Sequence, residues 1–410
     1  MRYAWLCGCV MGVAPMASAD PLTFAEALGR AGAEAPSVLA RRAETEAATL
    51  LIKPAGELPD PQLALGVQNL PVTGPDRLEL NRDFMTMQSV GVMQEVPNGE
   101  KREARVLKAT ADAGTARAAL DVARLEARLE AARWWIDAYY GLEELRALET
   151  VQRELDGLVE ATKASLAAGS GSADAALAAR LEASRIADRM TDTRLRVAAA
   201  RAELERWVGP LGPDEIGPAA PSFVIQPDML RLHLEHHVAV ALALAEIAQA
   251  RAGVDLARAD RNSDWSWEVM YQKREPGFSD MVSFGVRFSL PLFQASRQSP
   301  TIDARQAELR RAQADRDGVL RQHRAHLETM LADYAATRER LDRLSAVQLP
   351  LARQRQAVAE AGQAAGTASL ADAINARTAV LEMDLQRLAL ERQLTQLGAT
   401  LTIEHGETMS

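Results

Sequence analysis

The stretch SVGVMQEVP at Ser89–Pro97 recurs as SFGVRFSLP at Ser283–Pro291, an offset of 194 residues. Both copies share the pattern Ser-x-Gly-Val, then three variable positions, an aliphatic residue and proline. Each copy is followed by a polar turn, a very long helical pattern, a turn of small residues and a returning helical pattern. Self-similarity of this kind indicates an internally duplicated chain. We predict that each half contains a helix, two strands, a long helix, a turn and a returning helix.

The predicted strands alternate between apolar and polar residues, which gives a sheet one apolar face. They cover about 63–70 and 85–96 in the first half, where the alternation is less regular, and about 265–274 and 281–291 in the second. Each is about as long as a tilted membrane-spanning strand. We predict that the apolar face contacts lipid and the opposite face water; a soluble sheet with one buried face is the alternative. The residues predicted to face lipid are Trp265, Trp267, Val269, Tyr271, Phe284, Val286 and Phe288.

The helical patterns are too long for an ordinary globular core. Hairpins are predicted over about 99–208 and 297–400, and about 70 residues of unbroken helix correspond to roughly 100 Å. Apolar residues recur every three or four positions, as in a coiled coil. Pro350 should bend or locally break the second long helix. The positions of the predicted seam are Leu148, Val151, Leu155 and Leu158, and then Leu327, Met330, Tyr334, Thr337, Leu341 and Leu344.

The chain divides into four predicted segments. Residues 1–19 resemble a secretory signal, 20–209 form the first repeat, 210–227 a linker rich in proline and glycine, and 228–402 the second repeat. Both cysteines, at positions 7 and 9, lie in the signal, so we expect neither disulfides nor thiolate metal sites in the mature chain. Lipidation of Cys9 is the alternative. We find no later run of about 18 apolar residues that would predict a transmembrane helix.

Composition and motifs exclude several classes of function. The formal net charge of −9 argues against nucleic-acid binding, because phosphates attract basic surfaces. The sequence contains no P-loop, dinucleotide-binding fingerprint, HExxH or GxSxG motif. We therefore predict that the protein is not an enzyme and that it binds no cofactor.

Four strands per chain cannot close a barrel, since the smallest outer-membrane barrels have eight. An open sheet in lipid would leave edge groups unpaired, at several kcal/mol each. Three copies of the chain would supply twelve strands. The predicted fold class is mostly α with a small membrane β part that other copies of the chain complete; a trimer would form a 12-stranded barrel and a helical tunnel.

Three features of the sequence point to a known family: the duplicated unit, the turn segments Gly169–Asp174 and Gly366–Asp372, and the two Gly-Val…Pro blocks. In these features the sequence resembles the TolC-like outer-membrane efflux family. The resemblance covers essentially the whole mature chain. It implies a homotrimer in outer-membrane lipid that extends into the periplasm and docks with a periplasmic adaptor (membrane fusion protein) and an inner-membrane RND pump. It implies no cofactor. A soluble periplasmic coiled-coil scaffold is an alternative.

Within the family, two segments look like the heavy-metal branch (CzcC/CusC-type). They are Asp60–Pro71, DPQLALGVQNLP, and Met85–Glu95, MTMQSVGVMQE. Pro350 also looks like that branch. The resemblance therefore favours heavy-metal cations as cargo, with multidrug efflux and type I protein secretion as alternatives.

The family closes its periplasmic end with acidic rings just after the second hairpin turn. Asp372 matches the first acidic position, Asn375 stands where a second acid often lies, and Arg377 follows on the same helix. Three carboxylates around one axis attract cations; alternatively, Asp372 is an ordinary acid in the first turn of a helix. The residues expected at adaptor-docking hairpin turns are Gly169, Ser172, Asp174, Gly366 and Ser369.

Three further sets of residues, the methionines, the aromatic residues and the histidines, are interpreted as structural. Met85, Met87 and Met93 share a strand face, with Met270 and Met281 in the second half; thioethers suit Cu(I), but flexible packing is the preferred interpretation. The aromatic residues at 134, 135, 139 and 140 are interpreted as packing.

The histidine spacings could serve zinc or copper. His233 and His237 are four residues apart, and His323 and His326 three apart. Because nothing completes a ligand set, solvated helix faces are the preferred interpretation.

Overall fold

The computed structural model describes residues 21–168, 172–212 and 216–405. The signal segment 1–19 and both cysteines therefore lie outside the described residues. The chain is mostly helical with a small antiparallel sheet, which confirms the coarse fold class. Its helices are α1 (Phe24–Glu34), α2 (Pro36–Leu50), α3 (Ile52–Gly56), α4 (Gly99–Ala167), α5 (Ala173–Val208), α6 (Pro227–Leu232), α7 (Val238–Ala259), α8 (Gln298–Arg343), α9 (Leu349–Ala364) and α10 (Leu370–His405).

The sheet is a four-stranded antiparallel meander in the order β1-β2-β3-β4. Its strands are β1 (Gln62–Gln68), β2 (Met87–Val96), β3 (Trp265–Lys273) and β4 (Met281–Phe288). β2 and β3 come from different halves of the sequence and pair along their length, with Val92 opposite Val269. The sheet therefore joins the two repeats into one surface.

The two long outgoing helices differ in continuity. α4 runs for 69 residues without interruption, whereas the equivalent helix of the second half is α8, a π-helical turn at Leu344–Gln348, and α9. Pro350 has no N–H to donate to the carbonyl of Ala346, four residues earlier. The π-helical turn just before Pro350 accommodates the loss of this hydrogen bond, so the helix continues past the proline.

The first compact unit comprises Met1–Ala35, Ala127–Ile225 and Ala332–Ile403. Trp135 is fully buried there, stacks on Tyr139 with ring centroids 5.5 Å apart, and donates from Nε1 to the carbonyl of Leu22 at 2.9 Å. The predicted packing role of the aromatic cluster is thus confirmed for Trp135. The predicted seam residues of α4 also pack as expected, in a cluster formed by Leu148, Leu155, Ile186, Met190 and Leu381.

The second compact unit comprises Pro36–Glu126, Gln226–Leu331 and Glu404–Ser410, and it contains the sheet. Asp264, just before β3, accepts from the backbone N–H of Asn98 at 2.8 Å and from Lys101 Nζ at 3.0 Å. These bonds fix the start of α4 beside the start of β3.

One helical stretch, Pro227–Ala259, is long and apolar enough by length and composition to cross a membrane, which the sequence had not indicated. In the second unit its main helix, α7, lies against α4, where Gln249 Nε2 donates to Asp112 Oδ1 at 2.8 Å. Buried core helices meet the same length and composition criteria as membrane-crossing ones.

Candidate functional site

One face of the sheet is apolar across all four strands. The register places Trp265 opposite Phe288 and Val269 opposite Phe284, so the seven residues predicted to face lipid share this face. Phe284 and Phe288 are 70% and 65% exposed. The first half extends the same face through Leu63, Leu65, Val90 and Val92, all exposed. An exposed apolar surface this continuous is typical of a face that contacts lipid or another protein.

The opposite face is polar. Arg287 Nη2 pairs with Glu268 Oε2 at 2.6 Å across β3 and β4, and Ser283 donates to Gln272. Polar side chains in this alternation are those expected to face water.

The strand methionines lie on this polar face. The backbone register puts Met87, Met93, Met270 and Met281 there, among amide and guanidinium groups. Gln68 Nε2 approaches Met270 Sδ at 3.2 Å, and Arg287 Nη1 approaches Met93 Sδ at 3.5 Å. Met85 does not belong to this set, because β2 begins at Met87 and Met85 lies in the preceding turn.

Both outer edges of the sheet are open. Among the described residues, β1 pairs only with β2, and β4 only with β3. Such edges present unpaired backbone N–H and C=O groups that can template further strands. The sheet can therefore be extended on both sides without rearrangement of its own pairing.

The second hairpin turn is closed by a reciprocal set of hydrogen bonds. Gly366 adopts φ +74°, a left-handed conformation that favours glycine. Ser369 donates from its N–H and from Oγ to Asp372 Oδ2 at 3.1 and 2.7 Å, and Asp372 N–H donates to Ser369 Oγ at 3.1 Å. These bonds from Ser369 lower the pKa of Asp372. The exposed carboxylate thus caps α10, as an acid in a first turn commonly does. Its gating role remains a prediction.

Arg377 joins the two helical hairpins. Its Nη2 lies 3.5 Å from Glu154 Oε2 on α4 and 3.7 Å from Glu360 Oε1 on α9. The next residue, Thr378, donates to Glu182 Oε1 on α5 at 3.1 Å. The predicted gate residues Asp372 and Asn375 lie exposed on the same helix.

The described part of the first hairpin turn lacks such a cap. Gly169 lies outside the described residues. Ser172 stands at the N-cap of α5 but, in the described part of the chain, its side chain makes no capping hydrogen bond; Asp174 lies in the first turn.

The histidines do not lie as the spacing suggested. α6 ends at Leu232 and α7 begins at Val238, so His233 and His237 do not share a helix. His237 is buried, 5% exposed, which makes the interpretation as a solvated helix face wrong for this residue. It lies beside His323 and His405, although no local spacing links His405 to the other two.

Comparison with known proteins gives a family and a fold. Residues 229–403 match the model of the family described as Outer membrane efflux protein. No curated protein matches the chain by sequence.

Among solved structures, VceC of Vibrio cholerae is similar at TM-score 0.75 and 18% identity, over 93% of this chain and 96% of VceC. CmeC of Campylobacter jejuni is similar at TM-score 0.77 and 13% identity, over 93% and 85% of the two chains. CusC is similar at TM-score 0.73 and 14% identity, over 93% and 92%.

Together with the match over residues 229–403, these structures confirm the predicted resemblance to the TolC-like efflux family in fold. Residues 229–403 thus match the outer membrane efflux protein family, and over nearly its whole length the chain has the fold of TolC-like channels.

Proposed function

We propose that the protein is the outer-membrane duct of a tripartite efflux system, a passive exit route that works as a homotrimer. The observation that supports this most directly is the sheet: one exposed apolar face across four strands, a polar opposite face, and two open edges. In lipid, open edges are unfavourable by several kcal/mol per unpaired group. Three copies joined edge to edge would close twelve strands and place the polar face around water.

The helical hairpins would form the entrance. The turns around 165–180 and 362–378 would pack inward at rest, with Arg377 holding α4 and α9 to α10 through Glu154 and Glu360. A periplasmic adaptor that docks at Ser172, Asp174, Gly366 and Ser369 would open the entrance if it binds the open arrangement more tightly. The inner-membrane RND pump would supply energy and most of the selectivity.

Heavy-metal cations are the cargo we favour. This rests on segments 60–71 and 85–95 of the sequence and on Pro350. CusC, which gives that branch part of its name, is among the similar structures, but VceC and CmeC have TM-scores at least as high. Multidrug efflux and type I protein secretion are therefore the competing cargo classes.

Fractionation of cells that express the full chain tests the duct itself. We expect the protein to stay with outer membranes through high-salt and alkaline washes and to run as a detergent-dependent trimer. A soluble periplasmic scaffold would wash off as a detergent-free monomer, which would defeat the proposal.

Metal tolerance tests the cargo. Deletion of the gene should lower tolerance to at least one of copper, silver, zinc, cobalt and cadmium, and restoring the gene should recover it. Unchanged tolerance to all five, with lost tolerance to drugs or lost secretion of a protein, would reassign the cargo without affecting the duct.

Single-channel recording tests the gate. Asp372→Asn removes a charge that three protomers would bring to one axis, so it should weaken block by trivalent cations. Ser369→Ala is the matched control, because it removes the cap and keeps the charge. Equal block in the wild type and Asp372→Asn would remove Asp372 from the gate.

A further inference from the structure

All six histidines of the chain lie in the second compact unit, and four of them, from three distant parts of the sequence, lie close together. His237 is the N-cap of α7, His323 and His326 lie on α8, and His405 ends α10. The His237 ring centroid lies 4.0 Å from that of His323 and 5.4 Å from that of His405. We call these four residues and Glu404 the histidine cluster.

The centre of the histidine cluster is buried and poorly paired. His237 and His405 are 5% and 3% exposed. In the described part of the chain, His237 Nε2, His323 Nδ1, both ring nitrogens of His405 and Glu404 Oε2 are buried without a hydrogen-bond partner. Buried polar groups are nearly always paired, since leaving one unpaired costs about 1–3 kcal/mol. Such a concentration of exceptions points to a property other than stability.

His237 has a defined structural task that requires a neutral ring. Its Nδ1 accepts from the backbone N–H of Ala239 at 3.1 Å and so caps the N-terminus of α7. An accepting Nδ1 carries no proton, so the ring is the tautomer with its hydrogen on Nε2. A second proton could only go to Nδ1, where it would face the Ala239 N–H and abolish the cap. It would also place a positive charge at a helix N-terminus, where cations are unfavourable.

The surroundings offer little to compensate such a charge. Glu404 Oε2 lies 3.5 Å from His405 Nε2 and 3.9 Å from His326 Nε2, but burial raises the pKa of this carboxyl and so disfavours the charged form that could compensate a histidinium. On the side of α6, Arg231 is already paired with Asp228 and Glu328, while Glu235 and His236 are exposed. The groups on α8 and α10 whose charges act on His237 are His323, His326 and His405. Burial, followed by the charges of the other histidines, lowers the pKa of both His237 and His405 to about 4.

A metal site explains the histidine cluster less well. A ligating Nε2 of His237 would need its proton on Nδ1, which is the capping acceptor. In the parts of the chain that the structure describes, no three histidine, cysteine or acidic side chains are arranged to hold an ion.

We propose that the histidine cluster is an acid-sensitive latch, in which protonation of His237 uncaps α7 and loosens the packing of α7 against α8 and the end of α10. The direction follows from linkage. A histidine with a folded-state pKa below its ordinary 6.5 leaves more protons on the unfolded than on the folded chain. Its contribution to stability is therefore complete above about pH 6.5 and falls as the pH drops towards 4.

Hydrogen exchange on the full-length, detergent-solubilised protein tests the latch. We expect amides 238–241 to lose protection at least about tenfold between pH 7 and pH 4, after correction for intrinsic rates, since one pKa unit is tenfold in an equilibrium. His237→Asn should keep the protection within about twofold, because asparagine is a good N-cap that does not titrate. His237→Ala should lose it at every pH, and the exposed His236→Asn should behave like the wild type.

Two results would overturn the proposal. The first is loss of protection with acid in His237→Asn to the same extent as in the wild type. The second is stabilisation at neutral pH by zinc that His237→Asn abolishes, which would assign the histidine cluster to metal binding. If that variant fails to assemble, histidine C2-hydrogen exchange on the wild type decides instead: the latch requires His237 to titrate near 4, and titration near 6.5 would contradict it.

Discussion

The two repeats follow the same order of elements but use different local devices at matched places. Their strands share one apolar face, although the second half carries aromatic rings where the first carries leucine and valine. α4 is one continuous helix, while its counterpart passes through a π-helical turn before Pro350. The second hairpin turn is capped by Ser369 and Asp372, whereas the described part of the first has no such bond at Ser172. The duplication therefore conserves the surface pattern and leaves backbone details free to differ.

A charge on the apolar face should have the largest effect. Phe284→Arg would cost about 2–4 kcal/mol per protomer if that face meets lipid at mid-membrane. We expect loss of the detergent-stable trimer from outer membranes, measured by fractionation and gel mobility. Val90→Arg, at the matched place in the first repeat, should have the same effect if both repeats face lipid.

The matched control is Ser283→Arg, one residue away on the polar face. It should leave the trimer intact. Equal loss in Ser283→Arg and Phe284→Arg would show that the two faces do not differ in what they contact.

The helices can be compared by moving the proline. Asp156 is exposed in the continuous helix α4, so Asp156→Pro should cost about 3 kcal/mol or more through a lost hydrogen bond and a steric clash. Asp156→Ala is the control for loss of the side chain, and we expect a change within about 0.5 kcal/mol. Denaturant unfolding of the purified protein measures both.

Pro350→Ala should stabilise by less than the roughly 3 kcal/mol that separates the two residues in helices. The reason is that Leu344 and Leu349 are packed around the existing π-helical turn. Stabilisation by the full amount would mean that this packing does not depend on the turn.

The sequence predicts what depends on periodicity and misses what depends on distant contacts. Alternation in residues 265–272 predicted the apolar face, because strand geometry fixes which side each residue takes. Pro350 predicted a disturbed helix, but the form of the disturbance depends on packing around Leu344. His237 was misassigned because a break at residues 233–237 ended the helical periodicity, and its neighbours His323 and His405 are far away in sequence. Whether Asp372 faces a pore depends on other copies of the chain, which no single sequence position encodes.

Replacing the N-cap serine of each hairpin turn should change stability by less than the proline substitutions do, and by different amounts in the two turns. Ser369→Ala removes the two hydrogen bonds of the Ser369 hydroxyl, keeps the one from its backbone N–H to Asp372, and should cost about 1 kcal/mol. Ser172→Ala should change stability by less than about 0.5 kcal/mol, because Ser172 makes no capping bond among the described residues. Hydrogen exchange in the first turns of α10 and α5 measures the two effects side by side. Equal losses would mean that the two turns are capped alike in solution.

The smallest expected effect is the pH dependence of that cap, and it separates the turn from the histidine cluster. Bonds from Ser369 lower the pKa of Asp372 below its usual 3.8. A carboxyl with a depressed folded-state pKa stabilises above its unfolded pKa and loses that contribution only as the pH falls through the folded value. The difference in protection between wild type and Ser369→Ala should therefore stay constant from pH 7 down to about 4.5, the range in which protection of α7 begins to fail. If this difference in protection instead decreased over the same pH range as the protection of α7, a single acid transition would control both caps. His237 would then not be the group that senses acid at α7.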